Sequence, residues 1–257
     1  MSLLRKLLGP HGEVREGGPE KWTPEDLARG APEWDALLVT SREQVTEEVI
    51  RAGSRLKIVA KFGVGVENID IPAATRAGIP VTNCPGSNAI AVAEAALALM
   101  LSTVRRIPPY MRLLKEGAWR EVLEDTIELT GATFGIVGIG NVGREFARLL
   151  RGFEGRILAT DPYVEPDEIR ARGAEPVDLD TLTRESDIIS IHCSLTPETR
   201  NMFGADRFGM MKSHAVIVNC ARGPIIDESA LVGALREEVI ASAGLDVFES
   251  EPPSREN

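Results

Sequence analysis

Seven short apolar runs, most of them apolar on both faces, constrain this chain more than anything else in it: "DALLVT" (35–40), "LKIVAKFG" (56–63), "ATFGIVG" (132–138), "GRILATD" (155–161), "DIISIHC" (187–193), "HAVIVNC" (214–220) and "ASAGLDVF" (241–248). A strand with one wet face alternates polar and apolar residues. Most of these runs instead are rich in Ile and Val with no polar face, as in parallel strands covered by helices on each side. Helix-like segments lie between them at 46–53, 67–77, 142–152, 165–172, 178–185 and 227–238. Strand alternating with helix predicts an α/β protein with doubly wound parallel sheets.

One stretch breaks the alternation. "SNAIAVAEAALALMLSTVRRIP" (87–108) is long and Ala-rich, with Ser87 or Asn88 able to cap it and Pro108 to stop it. It reads as a helix connecting two α/β units, residues 1–105 and 106–257. A chain of 257 residues has room for two such units. A polar, less patterned segment follows at 108–131, and a long segment of that kind is usually functional or an interface. The two halves also echo each other faintly in "RAGIPV" (76–81) and "RGAEPV" (172–177), each read as helix end, Gly turn, strand start.

Composition excludes several classes. The formal net charge is −10, against the basic footprint of non-specific nucleic-acid binding. Cys84, Cys193 and Cys220 stand far apart with no zinc-like spacing, which predicts no metal site and a reducing cytoplasm. The opening "MSLLRKLLGPHG" reads as an amphipathic helix rather than a signal peptide, and no apolar run reaches membrane-spanning length.

The chemistry begins at "GIVGIGNVGREFARLL". Gly138, Gly140 and Gly143 form GxGxxG, with Asn141 and Val142 between the last two. The motif follows a predicted strand and opens a helix, and Asp161 ends the next strand 18 residues after Gly143. That context makes it a dinucleotide fingerprint. Gly138 permits the tight turn, Gly140 lets a diphosphate approach the backbone, and Gly143 lets helix and strand pack closely. The helix N-terminus then offers amides and a positive dipole end to the phosphates. Asp161 accepts from ribose hydroxyls and repels a 2′-phosphate, and neither Pro162 nor Tyr163 supplies a rescuing cation. NAD is expected over NADP.

"HAVIVNCARGPIIDESAL" places Arg222 at the carboxyl end of a strand, where ligands of open α/β sheets bind. Gly223 supplies a turn and Asp227 a helix cap. An Arg there can hold a carboxylate with two parallel bonds, although spacing alone serves a surface Arg equally well.

Taken together, "GIVGIGNVG", Asp161, "NCARGPIIDE" and "GLDVFESEPP" resemble the D-2-hydroxyacid dehydrogenase family, the group containing D-3-phosphoglycerate dehydrogenase and glyoxylate/hydroxypyruvate reductases. "KFGVGVENID", "NCPGSNAIAVAE" and "CSLTPETRNMFG" extend the likeness from about residue 35 to the end. The resemblance implies an NAD-dependent oxidoreductase that interconverts a small 2-hydroxy acid and its 2-keto acid. It implies a Rossmann domain over 106–257 lacking its last strand, and an incomplete flavodoxin-like lid domain over 1–105. By the same resemblance, Arg222 binds the substrate's carboxylate and keto oxygen, and Glu251 supports a catalytic His. Asp246 lies at the nicotinamide end, and Gly63-Val64-Gly65 offers amides to the substrate carboxylate. Lys61 stands where a basic residue often serves phosphoglycerate dehydrogenases. Cys193, Cys220 and Ala221 lie on loops lining the cofactor, with Cys84 beside it. A homodimer through 108–131 is expected.

One part is missing. Hydride leaves C2 as the hydroxyl proton leaves for a base, and histidine suits that base because its pKa lies near working pH. The family's His follows the Glu by some twenty residues, whereas this sequence ends six residues after Glu251. His11 is in a loop, His214 precedes a strand, and His192 has a non-catalytic context. A fragment of a longer enzyme is the expectation. The rival readings are a non-catalytic, corepressor-like NAD(H)-binding module and an NADP reductase of a bulkier keto acid.

Overall fold

The computed structural model describes residues 3–17, 22–119 and 126–254. Each Ile/Val run becomes a parallel strand, and the chain divides into two units, 1–87 and 88–257.

The first unit contains α1 (Leu3–Leu8), α2 (Pro24–Gly30), β1 (Ala36–Val39), α3 (Glu47–Ala52), β2 (Ile58–Lys61), α4 (Ile71–Arg76) and β3 (Val81–Thr82). Its strands pair in parallel in the order β1-β2-β3. Leu37, Val39, Val49, Ile50, Val59 and Ala73 fill its core. Thr23 caps α2 in a reciprocal box with Asp26, and Asp70 caps α4 through Ala73 N–H, so the helix starts follow local chemistry.

The second unit begins with α5 (Ala89–Val104) and α6 (Ile107–Lys115). Then come β4 (Thr133–Val137), α7 (Asn141–Leu150), β5 (Arg156–Thr160), α8 (Pro166–Ala171), β6 (Glu175–Pro176), α9 (Leu179–Glu185), β7 (Ile188–Ile191), α10 (Ala205–Phe208), β8 (Val216–Asn219), α11 (Glu228–Arg236) and β9 (Ser242–Leu245). The sheet runs β6-β5-β4-β7-β8-β9, all parallel. This is the doubly wound dinucleotide-binding order, built outward from β4, and all six of its positions are filled. A last strand missing from this domain, as the resemblance implies, would therefore be an addition to these six. Successive strand residues enter opposite cores: Val216 and Val218 pack under α5 and α7, while Ile217 packs with Leu182, Phe208 and Leu231. That two-sided burial is why the runs lack a polar face.

The division between units differs from the expected 105/106. The helix placed as a connector belongs wholly to the second unit, because Ala93, Ala96, Met100 and Val104 form one buried stripe in its core. Small side chains allow close approach: a Cβ on Gly244 of β9 would lie 2.9 Å from Thr103 Oγ1. Pro108 also departs from expectation. The break falls at Arg106, at φ 52°, and Pro108 sits in the first turn of α6, where its missing N–H costs nothing.

At the amino ends of the strands, Asp187 (side chain 17% exposed) ties three elements together. It accepts from Thr133 N–H at 2.8 Å, Lys212 Nζ at 2.7 Å and His214 Nε2 at 2.9 Å. Burial opposes the charged form, but these bonds outweigh it and hold the carboxyl below its ordinary range. A depressed carboxyl pKa stabilises the fold above the unfolded-state value, and the contribution is lost as pH falls through the folded-state value. Asp187→Asn should therefore cost roughly 1 kcal/mol near neutral pH. The gap from the parent should close below about pH 4, as read by urea unfolding across pH. No helix among the described residues is long and apolar enough to cross a membrane.

Candidate active site

The carboxyl ends of β4, β5, β7, β8 and β9 gather most of the residues singled out above. Gly138 takes φ +87°, and a Cβ there would lie 2.6 Å from Cys193 N. A Cβ on Gly143 would lie 2.2 Å from Gly138 O, so α7 starts in direct contact with the turn. Gly140 is different: nothing lies within 4 Å of its Cβ position. Two glycines are required by the protein's own packing, and the third faces open space at the head of α7, beside Asn141 and Val142. First-turn amides of a helix have no intrahelical acceptor, so this is a place for an anion.

Asp161 follows β5 directly. Its Oδ2 accepts from Ile139 N–H and its Oδ1 from Tyr163 N–H, both at 3.0 Å. The carboxylate is thus oriented by the phosphate loop on one side and its own turn on the other. Beside it opens a cavity of about 450 Å³ lined by Thr160, Asp161, Pro162, Val164, Ile169 and Val177. Glu165 and Asp178 line it as well, so its wall is partly aliphatic and partly acidic.

On the other side of the sheet's centre, β8 delivers Cys220, Ala221 and Arg222. Asn219, 1% exposed, braces them: its Oδ1 accepts from Ala221 N–H at 3.0 Å and its Nδ2 donates to Arg222 O at 2.9 Å. Sequence reasoning passed over Asn219, yet a lone amide ending an Ile/Val run was the available signal. Arg222 is extended, at φ −146°, and its Nη1 donates to Ala221 O at 2.6 Å. Asp227 caps α11 through Ala230 N–H at 2.9 Å, as expected.

The segment carrying Asp246 and Glu251 crosses this loop. A Cβ on Gly223 would come within 1.9 Å of the Phe248 carbonyl. Asp246 N–H donates to Asn219 O at 3.0 Å, and Glu251 is exposed, its Oε1 accepting from Phe248 N–H at 3.1 Å. The structure therefore brings the Arg222 and Glu251 segments together. His192 and His214 are engaged elsewhere. The His192 ring packs tilted against Phe146, centroids 5.0 Å apart at 54°, its Nε2 lies 2.9 Å from Ser190 Oγ, and burial pulls its pKa down to about 3. His214 serves Asp187 at the other end of the strands.

Two expectations change. Lys61 is only 5% exposed, and its Nζ donates to Thr40 O at 2.9 Å and Asn68 Oδ1 at 2.6 Å. Those bonds make it a buried support for the turn after β2 rather than an open cation. The neighbouring Gly63-Val64-Gly65 turn is pinned by Cys84 N–H to Gly63 O at 2.9 Å and by Asn83 Nδ2 to Val64 O at 2.7 Å. The cysteines also divide. Burial raises Cys193 to about 11 and Cys220 to about 12, with Asp161 and Asp246 adding to the respective shifts, while Cys84 is exposed. Alkylation of the native protein at pH 8 should modify Cys84 and spare the other two with or without nucleotide. Peptide mapping after iodoacetamide checks it; fast labelling of Cys193 or Cys220 would contradict it.

The fold and this site define a dinucleotide-binding α/β protein. Residues 97–257 match the family model for the D-isomer specific 2-hydroxyacid dehydrogenase NAD binding domain. The chain is 46% identical over 233 residues to D-3-phosphoglycerate dehydrogenase of Archaeoglobus fulgidus, covering 91% of this chain and 44% of that protein. It is 43% identical to hydroxypyruvate reductase of Thermotoga maritima, covering 95% and 79%. Among solved structures, D-lactate dehydrogenase of Aquifex aeolicus complexed with NAD and lactic acid aligns with a TM-score of 0.79 at 31% identity, covering 87% of this chain and 67% of that one. The chain belongs to the D-isomer specific 2-hydroxyacid dehydrogenase family. It spans less than half the length of the Archaeoglobus relative.

Proposed function

We propose that this protein takes part in NAD(H)-dependent interconversion of a small 2-hydroxy acid and its 2-keto acid, of the 3-phosphoglycerate, glycerate/hydroxypyruvate or glyoxylate type. The observation that carries this reading is the phosphate loop, open at Gly140 and flanked by the fixed carboxylate of Asp161, at the same sheet edge as the Arg222 loop.

NAD would supply a hydride acceptor for C2. Gly140, Asn141 and Val142 would meet its diphosphate, and Asp161 its adenosine ribose. Half-buried Cys193 and buried Cys220 and Ala221 would line the site as packing groups. Arg222, oriented by the Asn219-braced loop, would hold the substrate carboxylate and polarise the C2 oxygen. Asp246 would sit at the nicotinamide end. The Gly63-Val64-Gly65 turn would offer amides to the carboxylate, with Lys61 as its support. Glu251 would hold a protonated imidazole, since a carboxylate favours the charged form. A reaction run without a base at that place forfeits roughly 10²–10⁴-fold in rate.

The test is NADH oxidation with hydroxypyruvate, glyoxylate and phosphohydroxypyruvate, with and without added imidazole. Slow turnover that rises with imidazole supports the enzyme. Nucleotide binding with no turnover under either condition favours the second reading, a non-catalytic NAD(H)-binding module. A cytoplasmic setting accords with three free thiols.

We also propose a homodimer through α6. Ile107, Met111 and Leu114 are all exposed and share one face of that helix, and Trp119 just beyond it is exposed too. Within the 108–131 segment, residues 120–125 lie outside the described ones. Sedimentation of the parent as a dimer and of Met111→Glu as a monomer is expected.

A further inference from the structure

We propose that Arg172 is a positioning residue that aims the phosphate-loop amide of Gly140 at the cofactor diphosphate. The inference rests on the NAD-binding reading above and adds a residue that the GxGxxG fingerprint does not contain.

Arg172 follows α8 directly. Its Nη1 donates to Ile139 O, in the middle of the phosphate loop, and its Nη2 is held by Glu168 Oε1 one helical turn back. The guanidinium is largely sheltered, with its side chain 20% exposed. Ile139 is therefore held three ways: its side chain is fully buried, its N–H is bound by Asp161 Oδ2 at 3.0 Å, and its C=O by Arg172.

The consequence follows from peptide geometry. Ile139 C=O and Gly140 N–H belong to one planar unit, which is not among the cis peptide bonds of the described chain. In a trans unit those two groups point in opposite directions. Pinning the carbonyl on the α8 side turns the Gly140 amide to the other side. Ion pairing with Glu168 leaves the guanidinium little net charge to offer the diphosphate, so its contribution is orientation rather than attraction. Asp161 then reads the ribose, and Arg172, through the same residue Ile139, sets the amide for the phosphates.

The test compares two ligands, ADP-ribose by calorimetry and adenosine by NMR titration, on the parent, Arg172→Met and Arg172→Lys. Arg172→Met should weaken ADP-ribose about tenfold, the scale of one oriented hydrogen bond, and change adenosine less than about twofold. Arg172→Lys, which keeps a donor, should return ADP-ribose to within about threefold of the parent. The loss should be equal at about 0.05 M and 0.5 M salt, because an orientation effect is not screened. Equal weakening of both ligands would mean a merely structural role, and a loss that fades at high salt would mean a charge role; either overturns the proposal, as does an unchanged ADP-ribose affinity. If the parent itself binds neither ligand, the NAD-binding reading falls and takes this one with it, a result distinct from the others. Should Arg172→Met not melt cooperatively, Arg172→Leu carries the same comparison, and failure of both to fold while Arg172→Lys binds as weakly as an unpinned loop requires, more than tenfold below the parent, counts against it.

Discussion

Gly140→Ala should fold like the parent and lose NAD, whereas Gly143→Ala should lose the fold of the loop itself. The two positions belong to one motif, and their surroundings are opposite. The added methyl at 140 enters open space and meets no protein atom within 4 Å. It stands where a diphosphate would approach the head of α7, and overpacking of that contact at roughly 1–3 kcal/mol predicts a ten- to hundredfold weaker NAD. The methyl at 143 would lie 2.2 Å from Gly138 O, a backbone atom that cannot swing aside. Either α7 or the turn must move, at a cost of about 1–3 kcal/mol or more in stability. Thermal unfolding and NAD calorimetry on both variants separate the effects. A Gly140→Ala protein that binds NAD as the parent does would remove the diphosphate from this loop.

The second large effect is expected at Gly223. Its Cβ position coincides with the Phe248 carbonyl, at 1.9 Å from both carbon and oxygen, and lies 2.5 Å from Glu249 N. Gly223→Ala must therefore push the 246–251 segment outward by more than 1 Å. That segment bears Asp246 and Glu251, while the phosphate loop is untouched. A displacement of this size at a reacting centre costs about 10²-fold in rate. We expect turnover in an imidazole-supplemented assay to fall by about that factor while NAD affinity stays within about twofold. Equal loss of both would mean that the strain spreads through the sheet instead of stopping at the tail.

The strands were legible because burial on both faces writes itself into composition: Ile188, Ile189 and Ile191 of β7 are all fully covered. The exceptions are short. β3 and β6 hold two residues each, too few for any periodicity, and were visible only through the paired Gly turns of "RAGIPV" and "RGAEPV". α6 was missed as a helix because its apolar residues are outside: Ile107, Met111 and Leu114 are unburied, so the segment read as polar and irregular. The unit boundary was misplaced for a related reason. An Ala stripe shows that α5 packs closely against something, and only the packing partners, α7, β8 and β9, show what.

In the site, glycine spacing and Asp161 were enough to place a dinucleotide, since the turn, the helix start and the strand end are all local in sequence. The sequence by itself determined the seven longer strands, most of the helices between them, and the phosphate loop with Asp161 beside it. Tertiary structure alone decided that Lys61 turns inward to Thr40 and Asn68, that Cys193 and Cys220 are shielded thiols, that Asn219 braces Arg222, and that the tail crosses Gly223. Those outcomes depend on which atoms lie across a gap from residues distant in the chain, and neither a residue's identity nor its neighbours in sequence carry that distance.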